Sequence, residues 1–279
     1  MKLRNFGPTH RQISTIGQGT WYLDEANHTA AVETLQRGLD AGMTHIDTAE
    51  MYGDAELVIA DALATHRDRT FLVSKVLPSN ASYKGTIAAC ERSLSRLRTD
   101  RLDCYLLHWR GGHPLAETFR AFETLVQAGK ILSWGVSNFD VADLEEALAV
   151  AGPNKIACNQ VLYHLQERAI EHAVLPWCAR NNVTVVAYSP FGHNSFPSQR
   201  TSGGSVLQEI GQRLDASPRQ VALAALTRDS SVVAIPKASS APHAIDNAAA
   251  GDLELRIEDL ARIDAAFPRG APKRHLPML

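Results

Sequence analysis

The chain has 279 residues, and its 28 Lys and Arg against 30 Asp and Glu leave a formal net charge of −2. That near-neutral balance offers no field to gather nucleic acid or an anionic membrane, so neither is expected as a partner. Hydrophobic residues at 45% with charged residues at 21% exclude a disordered or fibrous chain and supply a large core.

The opening Met1-Lys2-Leu3-Arg4-Asn5-Phe6 lacks the apolar stretch of a secretion signal. No apolar run approaches the roughly 20 residues that span a bilayer, so the expected setting is the cytoplasm. Cys90, Cys104, Cys158 and Cys178 contain no C-x-x-C pair, which argues against a zinc knuckle or a dithiol redox motif and fits reduced thiols.

In chain order, residues 1–16 carry a Gly7-Pro8 turn between short apolar stretches and are expected to form an N-terminal hairpin that plugs one end of the domain. Apolar, β-branched segments then recur at 14–19, 44–47, 70–75, 104–108, 133–136, 156–160, 184–188 and 232–235. Helical spacing fills the gaps at 29–41, 55–65, 84–97, 114–128, 141–150, 168–181 and 218–228. Gly42 and Gly129 are placed to end helices, and Ser217-Pro218-Arg219-Gln220 reads as a capping box with proline at the first helical position. Residues 191–204, rich in Ser, Gly, Pro and Asn, form a long loop suited to cover a ligand, and 268–279 form a short tail. Eight strand-helix units without a dividing linker predict one α/β domain over 1–279, a (β/α)8 TIM barrel, in preference to an open doubly wound sheet.

In such a barrel the reacting groups sit at the C-terminal strand ends. Strand two ends at Asp47 with Tyr52 five residues on, strand three at Lys75 and strand four at His108. A carboxylate, a phenol, an ammonium and an imidazole on consecutive strands make a proton-transfer set: the lysine is expected to favour phenolate at Tyr52, Asp47 to hold Lys75, and His108 to orient a substrate oxygen. Each residue taken singly also has a commonplace structural use, and the combination on adjacent strand ends carries the inference. On later strands Ser137, Asn138 and Gln160 offer hydroxyl and amide partners to a flat amide-bearing ligand, with Tyr188 available to stack on it. Lys237 and Ser239 follow the last strand, where a barrel phosphate site is common.

Gly19-Thr20-Trp21, Asp47-Thr48-Ala49, Tyr52-Gly53, Leu106-Leu107-His108-Trp109, Gly135-Val136-Ser137-Asn138-Phe139, Asn159-Gln160-Val161, Tyr188-Ser189-Pro190 and Ile235-Pro236-Lys237, in this order over nearly the whole chain, resemble the aldo-keto reductase superfamily. The resemblance implies an oxidoreductase that reduces aldehydes or ketones, among them small dicarbonyls, with NADPH. In it Tyr52 matches the proton donor, Asp47 and Lys75 the pair that tunes it, and His108 the residue that orients the carbonyl. Gly19, Thr20, Trp21, Ser137, Asn138, Gln160, Tyr188, Ser189, Lys237, Ser239, His243 and Asn247 match the cofactor side, and Trp21 and Trp109, with Tyr22, wall a substrate pocket that a short tail leaves open. Arginine is frequent at the position of His243, so the resemblance leaves NADH use possible.

Two other functions compete. His45 and Asp47 alternate on one strand face, as in a metal-dependent hydrolase barrel, but the later strands lack further acidic or histidine ligands, so no metal is expected. An NADPH-binding redox sensor with little turnover is the other. No apolar stripe demands a partner chain, so a monomer acting on a small carbonyl compound is expected.

Overall fold

Period-two alternation along parallel strands decides what this molecule holds inside. The computed structural model describes residues 1–279. The strands are β1 (Leu3–Asn5), β2 (Gln12–Ser14), β3 (Gln18–Gly19), β4 (His45–Asp47), β5 (Phe71–Val76), β6 (Cys104–Leu107), β7 (Trp134–Ser137), β8 (Ile156–Leu162), β9 (Thr184–Tyr188) and β10 (Val232–Ile235). β3 to β10 pair in parallel in sequence order. The sheet closes on itself where the Gly17 N–H donates to the Ala234 carbonyl at 2.8 Å and the Ala234 N–H donates to Thr15 O at 3.1 Å. The predicted (β/α)8 barrel is therefore the observed one.

The helices are α1 (His28–Asp40), α2 (Ala55–Ala62), α3 (Tyr83–Leu97), α4 (Leu115–Gln127), α5 (Val141–Ala151), α6 (Val174–Arg180), α7 (Ser202–Leu214), α8 (Pro218–Leu226), α9 (Ala241–Ala249) and α10 (Ile257–Ala266). Gly42 and Gly129 adopt φ of +92° and +70°, and the Ser217 capping box forms with Pro218 in the first turn. Three expectations need correction. The helix expected over 168–181 breaks into a 3-10 turn, Ala169–His172, and α6, because Pro176 can neither donate to the residue four back nor tolerate its carbonyl. The first barrel strand is short because Ser14 belongs to β2. The loop expected over 191–204 ends at Thr201, whose side chain caps α7 by accepting from the Gly204 N–H at 3.1 Å.

Inside the barrel Phe71, Val73, Cys104, Leu106, Cys158, Val186 and Val233 make an apolar column. A second, larger cluster fills the space between the strands and the ring of helices. β1 and β2 pair antiparallel and cap the N-terminal end of the column. Phe6 packs edge-on against Phe71 at 4.7 Å, and the Gly7 N–H donates to Thr184 Oγ1 at 2.8 Å. Asp103, 1% exposed, latches this end by pairing with Arg11 of the hairpin and with Arg67 at 3.0 Å.

Gly7 has φ +50°, and a Cβ there would stand 2.2 Å from the Ala157 carbonyl. A Gly7→Ala substitution is therefore expected to lower the unfolding free energy by about 3 kcal/mol, since left-handed strain and a backbone clash add. Urea unfolding measures it, and a loss below about 1 kcal/mol would mean that the hairpin shifts freely.

Candidate active site

Above the apolar column the same alternation brings polar residues inward: Asp47 two past His45, Lys75 two past Val73, His108 two past Leu106, Gln160 two past Cys158 and Tyr188 two past Val186. All of them but Lys75 line a cleft of about 670 Å³. Of the residues expected from sequence, Gly19, Thr20, Trp21, Asp47, Tyr52, His108, Trp109, Ser137, Asn138, Gln160, Tyr188, Ser189 and Lys237 all line it.

Lys75 lies beneath this lining, 0% exposed. Its Nζ donates to Asp47 Oδ1 at 2.5 Å and to the Thr48 carbonyl at 2.7 Å, and lies 5.0 Å from the centre of the Tyr52 ring. The other carboxylate oxygen of Asp47 accepts from Gln160 Nε2 at 2.7 Å. Thr20 Oγ1 donates to the Asp47 carbonyl at 2.9 Å, tying the β3 end to the β4 end. His108 meets Tyr52 edge-on at 5.8 Å and lies tilted against Trp109 at 4.8 Å. Phenol, ammonium, carboxylate and imidazole thus share one corner of the cleft.

Burial pushes the Tyr52 phenol above its ordinary value; Lys75 pulls it back and Asp47 adds to the rise. Burial therefore outweighs the lysine, a correction to the expectation of a net acidified phenol. Burial also opposes the Lys75 charge, but Asp47 and Tyr52 more than offset it, so the ammonium is held above its ordinary range. Burial, reinforced by Lys75, brings His108 down to about 2, which keeps the ring neutral at any working pH.

The later strands are tied together before any ligand arrives. Asn138, at φ +60°, donates from Nδ2 to the His108 carbonyl at 3.1 Å and to Ser137 Oγ at 3.2 Å, and accepts from Tyr188 OH at 3.0 Å. Ser137 Oγ donates to the Gln160 carbonyl at 2.9 Å. Ser137 and Gln160 keep acceptor capacity toward the cleft, whereas both amide donors of Asn138 are taken by the protein and only its Oδ1 keeps a spare lone pair. Asn and Ser tolerate the left-handed backbone that aims these strand ends, as at Asn138 and at Ser189, φ +48°.

Ser239, His243 and Asn247 lie outside the cleft lining, beyond Lys237. Ser239 Oγ and His243 Nδ1 are 2.9 Å apart, and Asn247, one turn after His243 on α9, is buried. The N-cap residue of α9, Ser240, makes no side-chain bond to the helix, so the Ala241 and His243 amides, either side of Pro242, which has none, are open to an anion beside the exposed Lys237.

Sequence reasoning missed part of the wall. Glu25, Met51, Met278 and Leu279 line the cleft, and the Leu279 N–H donates to Tyr188 OH at 3.4 Å. The tail, expected to leave the pocket open, reaches it because Lys273 pairs with Glu167 and Leu276 packs on the core. Apolar residues ending an otherwise polar tail were the available signal. Trp21 stacks on Tyr22 at 4.6 Å, faces Tyr52 at 6.3 Å and lines the cleft. No three His, Cys, Asp or Glu side chains gather to hold a metal ion, and no helix is long and apolar enough to cross a membrane. The redox-sensor reading finds no supporting observation.

A barrel whose open end assembles a buried Asp-Lys pair under a tyrosine, beside a neutral histidine, defines a carbonyl oxidoreductase. The model of the Aldo/keto reductase family matches residues 15–267, and the chain belongs to that family. Methylglyoxal reductase YeaE of Escherichia coli (strain K12) is 44% identical over 271 residues, 96% of this chain and 95% of that protein. Glyoxal reductase of Bacillus subtilis (strain 168) is 35% identical, covering 91% and 89%. A Klebsiella pneumoniae aldo-keto reductase solved in complex with NADPH superposes with a TM-score of 0.93 at 42% identity, covering 100% of each chain.

Proposed function

We propose that this chain is an NADPH-dependent reductase of aldehydes and ketones, with small dicarbonyls of the methylglyoxal and glyoxal kind as its substrate class. The observation that carries the reading is Lys75, buried and held by Asp47 at 2.5 Å directly beneath the Tyr52 ring at the cleft floor. The dicarbonyl assignment is supported by the reductases named above.

The residues present fit the cofactor. Tyr188 offers a ring face, Ser137 and Gln160 offer oxygens to a carboxamide, and Lys237 with the open amides of α9 and Ser239 suits a phosphate. Gly19, Thr20, Trp21, Asn138 and Ser189 shape the surface between, and Asn247 and His243 share the adenine-side helix face. NADPH, when bound, supplies the hydride.

The chain's own residues handle the oxygen and its proton. The neutral His108 carries one ring proton, and with Nδ1 buried that proton belongs on Nε2, facing the cleft, where it fixes the carbonyl oxygen. Tyr52 then delivers its proton to that oxygen. Lys75 stabilises the phenolate left behind, and Asp47 keeps Lys75 charged and aimed. Trp21 and Trp109 exclude water around the reacting carbonyl. His243 supplies less charge than a guanidinium would, so slower turnover with NADH accompanies the NADPH preference.

We read 1–279 as one working barrel domain, and four buried free thiols support a cytoplasmic setting. The test follows reduced-nicotinamide absorbance with methylglyoxal, glyoxal, aldoses and ketones, each with NADPH and NADH. Dicarbonyl-dependent oxidation, faster with NADPH, is expected. Absence of carbonyl-dependent oxidation across the whole panel would overturn the reading.

A further inference from the structure

The barrel interior holds one polar ring that neither packing nor the chemistry above accounts for. His45 is 0% exposed, yet neither Nδ1 nor Nε2 has a hydrogen-bond partner. Its layer is otherwise apolar, with Phe71 paired beside it and Cys104 and Cys158 on nearby strands. An unpaired imidazole is an expensive filler for such a site.

The ring is fixed in place. The backbone N–H of His45 donates to Ser14 Oγ at 3.3 Å, Phe6 and Phe71 stand edge-on at 6.4 and 5.7 Å, and Gly17 backs it so closely that a Cβ would lie 3.0 Å from the ring carbon Cγ. So held, it directs Nε2 upward, 3.9 Å from Asp47 Oδ2. That oxygen is the one Gln160 also serves, opposite the oxygen held by Lys75.

We propose that His45 is a positioning residue for the proton donor: its neutral ring presents an Nε2 proton to Asp47 Oδ2 and damps the carboxylate's charge from beneath. A gap of 3.9 Å is longer than a hydrogen bond, but both groups are buried, and a charge-dipole contact retains its strength at the low dielectric of a protein interior. The charged and titratable groups around the ring are Asp47 on its own strand, Lys75 on β5, Asp103 just before β6, and the Cys104 and Cys158 thiols. Burial outweighs the attraction of Asp47, with Lys75 adding to burial, and brings the ring down to about 4, so it stays neutral during turnover. Asp47 in turn raises the Tyr52 phenol. An undamped Asp47 would raise it further and make its proton harder to release.

The catalytic consequence rests on the proton-delivery reading, whereas the ring's orientation is a property of the protein alone, and the experiment separates them. Gln places its amide nitrogen where Nε2 stands; Asn reaches only the Nδ1 position; Leu offers no donor. His45→Leu and His45→Asn are expected to move the alkaline limb of the kcat profile up by about 0.5–1 pH unit and to lower kcat about 3–10-fold. His45→Gln should restore both. Nitrogen NMR of histidine-labelled protein, with the His45 signals identified by their loss in His45→Gln, should show the Nε2-protonated tautomer at neutral pH.

An Nδ1-protonated or charged ring overturns the proposal whether or not the protein turns over. A wild-type pH profile in His45→Leu accompanied only by lower stability also overturns it. If His45→Leu does not fold, equal profiles for the Asn and Gln variants do the same. Failure of the wild-type protein to reduce any carbonyl sinks the functional reading, and the tautomer still decides the contact.

Discussion

Replacing Tyr52 by Phe is expected to lower kcat for carbonyl reduction by about 10²–10⁴-fold and to leave the dissociation constant for NADPH within about threefold. The hydroxyl is needed only when a proton reaches the substrate oxygen, whereas the ring's contacts with Trp21 and His108 survive in Phe. The pH dependence of the parent follows from the same residue. Proton delivery requires the protonated phenol, present below its pKa, and burial has moved that pKa above the ordinary value near 10. Reduction should therefore run level through neutral and mildly alkaline pH and fall only beyond that ordinary value. His108, neutral down to about 2, adds no acid limb. A fall centred well below pH 10 would mean that Lys75 overrides burial once ligands bind, and substantial turnover by the Phe variant would remove Tyr52 from its role.

The chemistry at the strand ends was legible because parallel strands alternate. Once 44–47, 70–75 and 104–108 are read as strands, Asp47, Lys75 and His108 must share one face and one end of the barrel. Contacts that cross the barrel were not legible. Gln160 serves Asp47 from more than one hundred positions along the chain, and nothing local distinguishes that use from the carboxamide contact expected of it. The balance at Tyr52 was also hidden: a neighbouring lysine can be read from spacing, but burial emerges only from the packed site. Local signals failed where tertiary contacts override them. α7 opens with Ser202-Gly203-Gly204, poor helix formers, yet Gly203 is required because a Cβ would meet the Phe267 ring at 2.4 Å. The tail's path depends on the Lys273 pairing and on Leu276, neither of which periodicity reveals.

Lys75→Met is expected to damage stability and catalysis through different partners, and a second substitution tells them apart. Lys75 Nζ supplies two of the hydrogen bonds at the floor, to Asp47 and to Thr48. Its removal leaves Asp47, 2% exposed, with Gln160 as its remaining donor. Breaking a buried pair from one side costs about 3–5 kcal/mol, because the surviving charge is uncompensated. Turnover should fall by about 10²-fold or more, since the phenolate loses its cation while the Asp47 charge still opposes it. Adding Asp47→Asn removes the stranded charge and should return most of the lost unfolding free energy, measured in urea, without returning turnover. The coupling between the two positions would then be large for stability and small for kcat. If the double variant is no more stable than Lys75→Met, the loss is one of packing, and Asp47 is not held in place by charge. If it regains activity, the cation beneath Tyr52 is dispensable and the proton must reach the substrate by another route.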